Sequence, residues 1–411
     1  MTALRTCGIV ETAMHRMEME RGAGHLALGV TLSGPCHHEY LDRSLESLGS
    51  RHPLLSARLV HGADGGLSFH RGNDPHSALS DGPKPLGLAI ELELNHPFTP
   101  EGSALLRMTV YPPDEDDRWA LVISAHHAVA DGRAMQIVLD ELLHSYELLL
   151  DGHSIQYVAE VVPDPVDMLI GEKLHVGVDE ALRILTETLV DIDEGEPRAV
   201  LGRPAAATRV AAASVANGAV AASRGAPHFS HIAVSVSRML QRIVPWPDDA
   251  VLDCGVTIDL RSRLRAFGVG RDSVGAFHSG VIGKVDLGCT APAAASVLAD
   301  EVRSAHARHH PELGALCQSA AVDLLLSGDL TIPPLTVAYV GRSRTDRLTH
   351  VRVDDIGGGI GLHALGGASL YVGRMNERTF VTLAYPEYLD EALRDRGLPE
   401  MSVELGAAVS S

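Results

Sequence analysis

Two adjacent histidines, followed at fixed spacing by an aspartate and a glycine, are the part of this 411-residue chain best suited to chemistry: His126-His127-Ala128-Val129-Ala130-Asp131-Gly132. An imidazole with an ordinary pKa of about 6.5 can take a proton from a hydroxyl or amine at neutral pH and return it to a departing thiolate. Such a base needs a fixed tautomer. Asp131 could supply it directly, or it could be turned away to pin the loop through an arginine, leaving a backbone carbonyl to orient the ring. Gly132 permits a tight turn and exposes N–H groups at a helix start, a place for an oxyanion or an approaching acyl group. The bland reading places the histidines in the core or on the surface and makes Asp131 an ordinary helix N-cap. Two histidines and an aspartate on one short loop at a strand end favour the chemical reading.

The flanking residues supply the elements that must hold this loop. Residues 119–125, WALVISA, are apolar on both faces and read as a central, doubly covered strand. After the loop, Met135, Leu139, Leu142, Tyr146 and Leu149 step along one helical face. Upstream, residues 25–34, a helix with Leu41, Leu45 and Leu48, and residues 54–60 read as a β–α–β opening. Residues 67–71, 87–94 and the alternating Leu106, Met108 and Val110 read as further strands. Residues 153–200 lack a clean repeat apart from a helix near 180–189, and the domain boundary is expected there. The alanine-rich stretch 205–226 reads as a helix, because alanine has the best helix propensity. VLDCGVTIDL, LTVAYVG and TFVTLAYP are strands of the second half.

Composition narrows the function classes. The formal net charge of −19 repels phosphate backbones and anionic lipid surfaces, which disfavours nucleic-acid binding. Cys7, Cys36, Cys254, Cys289 and Cys317 are widely spaced and lack CxxC pairs, as expected of reduced cytosolic thiols. Acidic and basic residues break up the N-terminal segment where a secretory signal would be apolar, and no apolar run approaches a membrane span. A cytoplasmic, monomeric protein without membrane insertion is expected.

On these residues the sequence resembles the acyltransferase superfamily of chloramphenicol acetyltransferase, peptide-synthetase condensation domains, plant BAHD enzymes and actinobacterial polyketide-associated acyltransferases. HHxxxDG at His126–Gly132 is one match. Pro97-Phe98 with Gly102-Ser103-Ala104-Leu105-Leu106-Arg107 resembles the family's PF…G-PLLR segment, and Arg51-His52-Pro53-Leu54 its RHPxL segment. Asp259-Leu260-Arg261-Ser262-Arg263-Leu264 with Val274-Gly275-Ala276-Phe277 is similar to its D-x-R-x-R-L…xGNF segment. The four occur in family order between about residues 50 and 280. Ala276 replaces the family's Asn, Val340-Gly341 stands where relatives often have Ser-Asn-x-Gly, and DFGWG of BAHD enzymes is missing.

The resemblance implies an α/β fold of two chloramphenicol-acetyltransferase-like lobes, each a mixed sheet with flanking helices, forming a pseudo-dimer with a central channel. The expected division is 1–175 for the lobe carrying HHxxxDG, 176–204 for a crossover linker and 205–411 for the second lobe. It implies His127 as general base, with His126, Asp131 and Gly132 structural, and Asp131 anchored by Arg261 or, as the runner-up, by Arg58. The implied reaction is direct transfer of an acyl group from a coenzyme A or carrier-protein thioester to a hydroxyl of a small polyketide, lipid or other specialised metabolite. No prosthetic group is implied; the acyl-CoA or acyl-phosphopantetheine is a co-substrate, and an acyl carrier protein is a partner. A free-standing amide-forming condensation enzyme and a catalytically silent binding scaffold are the alternatives. The sequence offers no GxSxG elbow for a serine nucleophile.

Weaker signals divide between chemistry and solvation. Arg263, Arg265 and Arg271 could bind the phosphates of the thioester donor or form a solvated basic face. Gly357-Gly358-Gly359-Ile360-Gly361 follows Asp354-Asp355, which would repel a pyrophosphate, and reads as a flexible turn. His306 and His310 have the spacing of a helical metal pair but lack a nearby carboxylate or thiolate set, so no metal is expected.

Overall fold

The computed structural model describes residues 3–72, 75–99, 104–188, 204–216, 228–244, 246–362, 364–376 and 378–397. In chain order the first elements are β1 (Ala3–Thr6), α1 (Ile9–Arg21), β2 (Leu26–Ser33), α2 (His38–Arg51), β3 (Ala57–His61) and β4 (Leu67–Arg71). They are followed by β5 (His76–Leu79), α3 (Leu86–Leu94), β6 (Leu106–Tyr111), β7 (Arg118–Ala125), α4 (Gly132–Leu150), α5 (Val166–Leu174) and α6 (Val178–Thr188). The remainder comprises β8 (Thr208–Ala216), α7 (His228–Gln241), β9 (Val251–Asp259), β10 (His278–Asp286), α8 (Ala291–Ala307), α9 (His310–Leu316) and α10 (Gln318–Ser327). The last strands are β11 (Leu335–Arg342), β12 (Arg352–Ile360), β13 (Ala368–Met375) and β14 (Arg378–Pro386).

These mixed α/β elements group into two compact units that no single cut of the chain separates. The first contains Met1–Leu169, Arg261–Phe277 and Gly341–Gly361; the second contains Ile170–Leu260, His278–Val340 and Leu362–Ser411. Two stretches of the sequence's second half are therefore built into the unit that carries the paired histidines. Of the expected linker 176–204, Val178–Thr188 is helix α6, and 189–203 lie outside the described residues.

In the first unit, β7 is the middle strand of the sheet β12-β2-β7-β6-β5. Every residue from Trp119 to Ala125 is buried, as its two-faced apolar pattern requires, and each large apolar side chain so buried contributes about 1.5–3 kcal/mol. Leu26 of β2 and Leu106 of β6 both pair with Ala125, so the strand is clamped from both sides just before His126. A smaller sheet, β1-β4-β3, completes this unit's strands. In the second unit, a six-stranded sheet runs β10-β9-β11-β13-β14-β8, with α8 and α9 packed on β10.

Three segments differ from the sequence expectation. Residues 86–94 are helix α3 rather than a strand: Leu86, Ala89, Ile90 and Glu93 are buried at helical spacing, and the helix packs against β2, where Gly29 leaves the room that Leu86 occupies. The alanine-rich stretch is strand β8 over Thr208–Ala216, in full register with Arg378–Pro386 of β14; sheet pairing overrides alanine's helix propensity. The rest of that stretch, 217–226, lies outside the described residues. Gly357–Ile360 is not a turn but the end of strand β12, where Gly357 pairs with Gly29 and Gly359 with Ala27.

Candidate active site

The loop from His126 to Asp131 leaves β7 and enters α4. Asp131 is the N-cap: its side chain accepts the Ala134 N–H at 2.7 Å. The same carboxylate receives a two-pronged ion pair from Arg261, at 2.9 Å to Oδ2 and 3.0 Å to Oδ1, and the Phe277 N–H at 2.8 Å. Both oxygens are thus engaged by donors other than the catalytic candidate. Arg261 is itself 1% exposed and donates to the carbonyls of Ser273 and Gly275 at 2.8 and 3.3 Å, while the Asp131 N–H also reaches the Gly275 carbonyl. Gly275 has a reason to be glycine: a Cβ there would stand 2.8 Å from the Phe277 ring.

His127 is oriented by the backbone. Its Nδ1 donates to the Ala130 carbonyl at 2.9 Å, which places the neutral ring's lone pair on Nε2. Of the two arrangements the sequence left open, the structure has the carbonyl orienting the ring and the aspartate bound to an arginine. Burial holds the His127 imidazole below the ordinary range, opposed by the charge of Asp131 and the hydrogen bond to Ala130.

His126 faces inward. Its Nδ1 accepts the Ala128 N–H at 3.1 Å and its Nε2 lies 3.5 Å from His15 Nδ1 of α1. Burial pushes its pKa down to about 3. The Phe98 ring packs against it edge-on, with centroids 6.0 Å apart. Phe98 is held by the Arg107 guanidinium, 4.1 Å from its centroid, and by its own N–H, which donates to Glu18 of α1 at 2.6 Å. Glu18 pairs with His25 at 3.0 Å. The Pro97-Phe98…Arg107 segment therefore supports the motif from beside it, although Gly102-Ser103 lie outside the described residues.

Of the expected residues, Arg261 and Asp131 meet, His127 and His126 flank them on the loop, and Gly132 is the first residue of α4. Arg58 does not take the role of runner-up anchor: it sits in β3 opposite His70, and Arg261 occupies Asp131. Arg265 and Arg271 are exposed and Arg263 is half-buried. His306 and His310 belong to two helices, α8 and α9, separated by His309 in a left-handed conformation, so they do not form a helical pair. Among the described residues, no group of three or more His, Cys, Asp or Glu is placed to hold a metal, and no helix is long and apolar enough to cross a membrane. The sequence reading missed His15 and Glu18. A signal existed in Glu11, His15 and Glu18, which recur at helical spacing on α1 and are all buried.

Residues 13–161 match the model of the Condensation domain family. The match takes in about a third of the chain, and the fold described above is that of condensation domains. The chain is similar over 98% of its length to polyketide synthase associated protein 5 from Mycobacterium tuberculosis, covering 99% of that chain with a TM-score of 0.66 and 15% identity. It is similar to TRI3 trichothecene 15-O-acetyltransferase from Fusarium sporotrichioides, with a TM-score of 0.72, 11% identity and coverage of 98% and 94% of the two chains. Among curated proteins it is 25% identical over 297 residues to a probable nonribosomal peptide synthetase, CymA, of Salinispora arenicola (strain CNS-205). That alignment takes in 66% of this chain but 4% of the synthetase.

Proposed function

We propose that this protein is an acyltransferase that moves an acyl group from a coenzyme A or carrier-protein thioester to a hydroxyl of a small-molecule acceptor. The observation that carries the reading is the hydrogen bond from His127 Nδ1 to the Ala130 carbonyl, with Asp131 committed to Arg261. A base built this way is neutral, directional and ready at neutral pH. In the proposed reaction Nε2 removes the acceptor proton as its oxygen attacks the thioester carbonyl. The tetrahedral oxyanion then collapses, the C–S bond breaks, and the thiolate leaves with the proton returned from His127. Atoms and charges balance without an acyl-enzyme or a prosthetic group, and the thioester is the only co-substrate. The likeness in fold to TRI3 trichothecene 15-O-acetyltransferase, an O-acetyltransferase by name, supports an alcohol acceptor.

A second reading, amide formation on an amine, is favoured by the Condensation match and by the synthetase relative. Purified protein given one acyl-thioester with matched alcohol and amine acceptors separates the two. His127→Ala is expected to lower kcat by about 10²–10⁴ without changing the melting temperature. Because burial lowers the base's pKa, the acid limb of the parent's kcat/KM profile is expected below about pH 6.5. Full turnover in the His127→Ala protein would remove this chemistry and assign the reaction to another group, whereas a parent protein that turns over neither acceptor would leave the binding-scaffold alternative.

A further inference from the structure

We propose that His15, on α1, is a positioning residue: it accepts the Nε2 proton of His126 and thereby holds His126 in the one tautomer the motif loop can use. The inference deepens the acyl-transfer reading and rests on it for its kinetic consequence, but not for its structural one.

The Ala128 N–H is a donor and cannot accept, so His126 Nδ1, 3.1 Å away, must carry the lone pair. A neutral His126 then carries its hydrogen on Nε2, and the atom facing Nε2 is His15 Nδ1, at 3.5 Å. His15 Nδ1 is consequently the acceptor. Both rings sit in the interior, at 5% and 1% exposure, with centroids 5.5 Å apart. Burial pushes His15 down to about 4 and His126 to about 3, so neither takes up a second proton near neutrality.

The tautomer matters because Ala128 is the residue immediately after His127. The Ala128 N–H is tied to the His126 side chain, the Val129 N–H to the His126 carbonyl at 3.0 Å, and the His126 N–H to the Leu105 carbonyl at 3.0 Å. A proton on His126 Nδ1 would set two hydrogens against each other at Ala128 and leave a buried donor unbonded. The turn that brings Ala130 to His127 Nδ1 would then lose one of its ties. His15 disfavours that state by offering an acceptor to the hydrogen on the other nitrogen.

Replacing the acceptor tests this. In His15→Leu, kcat is expected to fall about tenfold with KM within about twofold, since a slightly misplaced base costs rate and not binding. His15→Asn, whose Oδ1 stands near the position of Nδ1, is expected to recover most of kcat. Proton-detected nitrogen NMR on histidine-labelled protein reads the tautomer directly, with the His126 signals identified by their loss in His126→Asn. The parent should show the hydrogen on Nε2, and His15→Leu should show a mixture or the hydrogen on Nδ1. A parent spectrum with the hydrogen on Nδ1 overturns the proposal. So does a His15→Leu protein that keeps Nε2–H and full kcat. Should His15→Leu fail to fold, the parent spectrum and His15→Asn decide. A parent protein without acyl transfer defeats the functional reading, and the tautomer readout then still judges His15 by itself.

Discussion

Two regions of the first unit set a histidine beside carboxylates and shift its pKa in opposite directions. At the motif loop, His127 sits near Asp131 but donates to a carbonyl, and its pKa is lowered by burial. At the end of α2, His52 has Nε2 at 2.8 Å from Glu141 and Nδ1 at 3.4 Å from Glu160, so both ring nitrogens face acceptors. Burial opposes the charged form there too, but the hydrogen bonds to Glu141 and Glu160 outweigh it and raise the His52 pKa. The difference lies in which donors occupy the carboxylates. Asp131 is claimed by Arg261 and two backbone N–H groups, whereas Glu141 and Glu160 accept from His52 itself as well as from Arg51. A carboxylate raises the pKa of an imidazole most when it accepts directly from the ring nitrogens, as at His52, and less when the ring nitrogen donates to a backbone carbonyl instead, as at His127.

Removing that arginine should break the contrast with the largest effect. Arg261→Met leaves a buried carboxylate without its counter-charge, a change that costs about 3–5 kcal/mol. The measurement is denaturant unfolding of parent and variant. With its counter-charge gone, Asp131 should also raise the pKa of His127, moving the acid limb of kcat/KM to higher pH. Asp131→Asn added to Arg261→Met should return part of the lost stability, because it removes the uncompensated charge. A single variant within about 1 kcal/mol of the parent would mean the pair is ornamental to the fold.

The loop was readable in the sequence because its chemistry lies in seven consecutive residues between an apolar run and an amphipathic helix. Arg261 was readable only through family resemblance: nothing in spacing joins it to Asp131, and the fold brings the two together. His15 and Glu18 were hidden for a different reason. The segment MHRMEME carries the polar composition of a solvated helix, and burial of its histidine and glutamate depends on partners in the motif loop after β7 and in the Phe98 loop. The misread elements share one cause. LGLAIELEL and the alanine-rich stretch satisfy more than one periodicity, and a neighbour decides: α3 packs over glycine-bearing β2, and β8 pairs with β14. Propensity yields wherever a sheet edge or a close approach is available.

The His52 side of the comparison predicts a smaller, pH-dependent effect. A histidine whose folded pKa is raised above its unfolded value stabilises fully below that unfolded value, about 6.5, and the contribution is lost as pH rises through the folded pKa. His52→Gln is therefore expected to cost about 1 kcal/mol near pH 6 and much less near pH 9, a modest figure because Glu160 is partly exposed and screened. Unfolding curves of both proteins at the two pH values test it. An equal difference at both would assign the loss to packing rather than to charge.

The smallest effect concerns arginines that, unlike Arg261, stand in solvent. Arg265 and Arg271 lie on the same short segment as Arg261 but are exposed, so their charges act through water and salt. If they meet the phosphates of the thioester donor, Arg265→Glu and Arg271→Glu should each raise the acyl-CoA KM about two- to fivefold at low salt, with kcat and melting temperature unchanged. Added salt should erase the difference, because screened charges steer weakly. An acyl-CoA KM that stays at the parent value in both variants makes them a solvated basic face. The functional part of the segment would then end at Arg261, whose guanidinium pairs with both oxygens of Asp131.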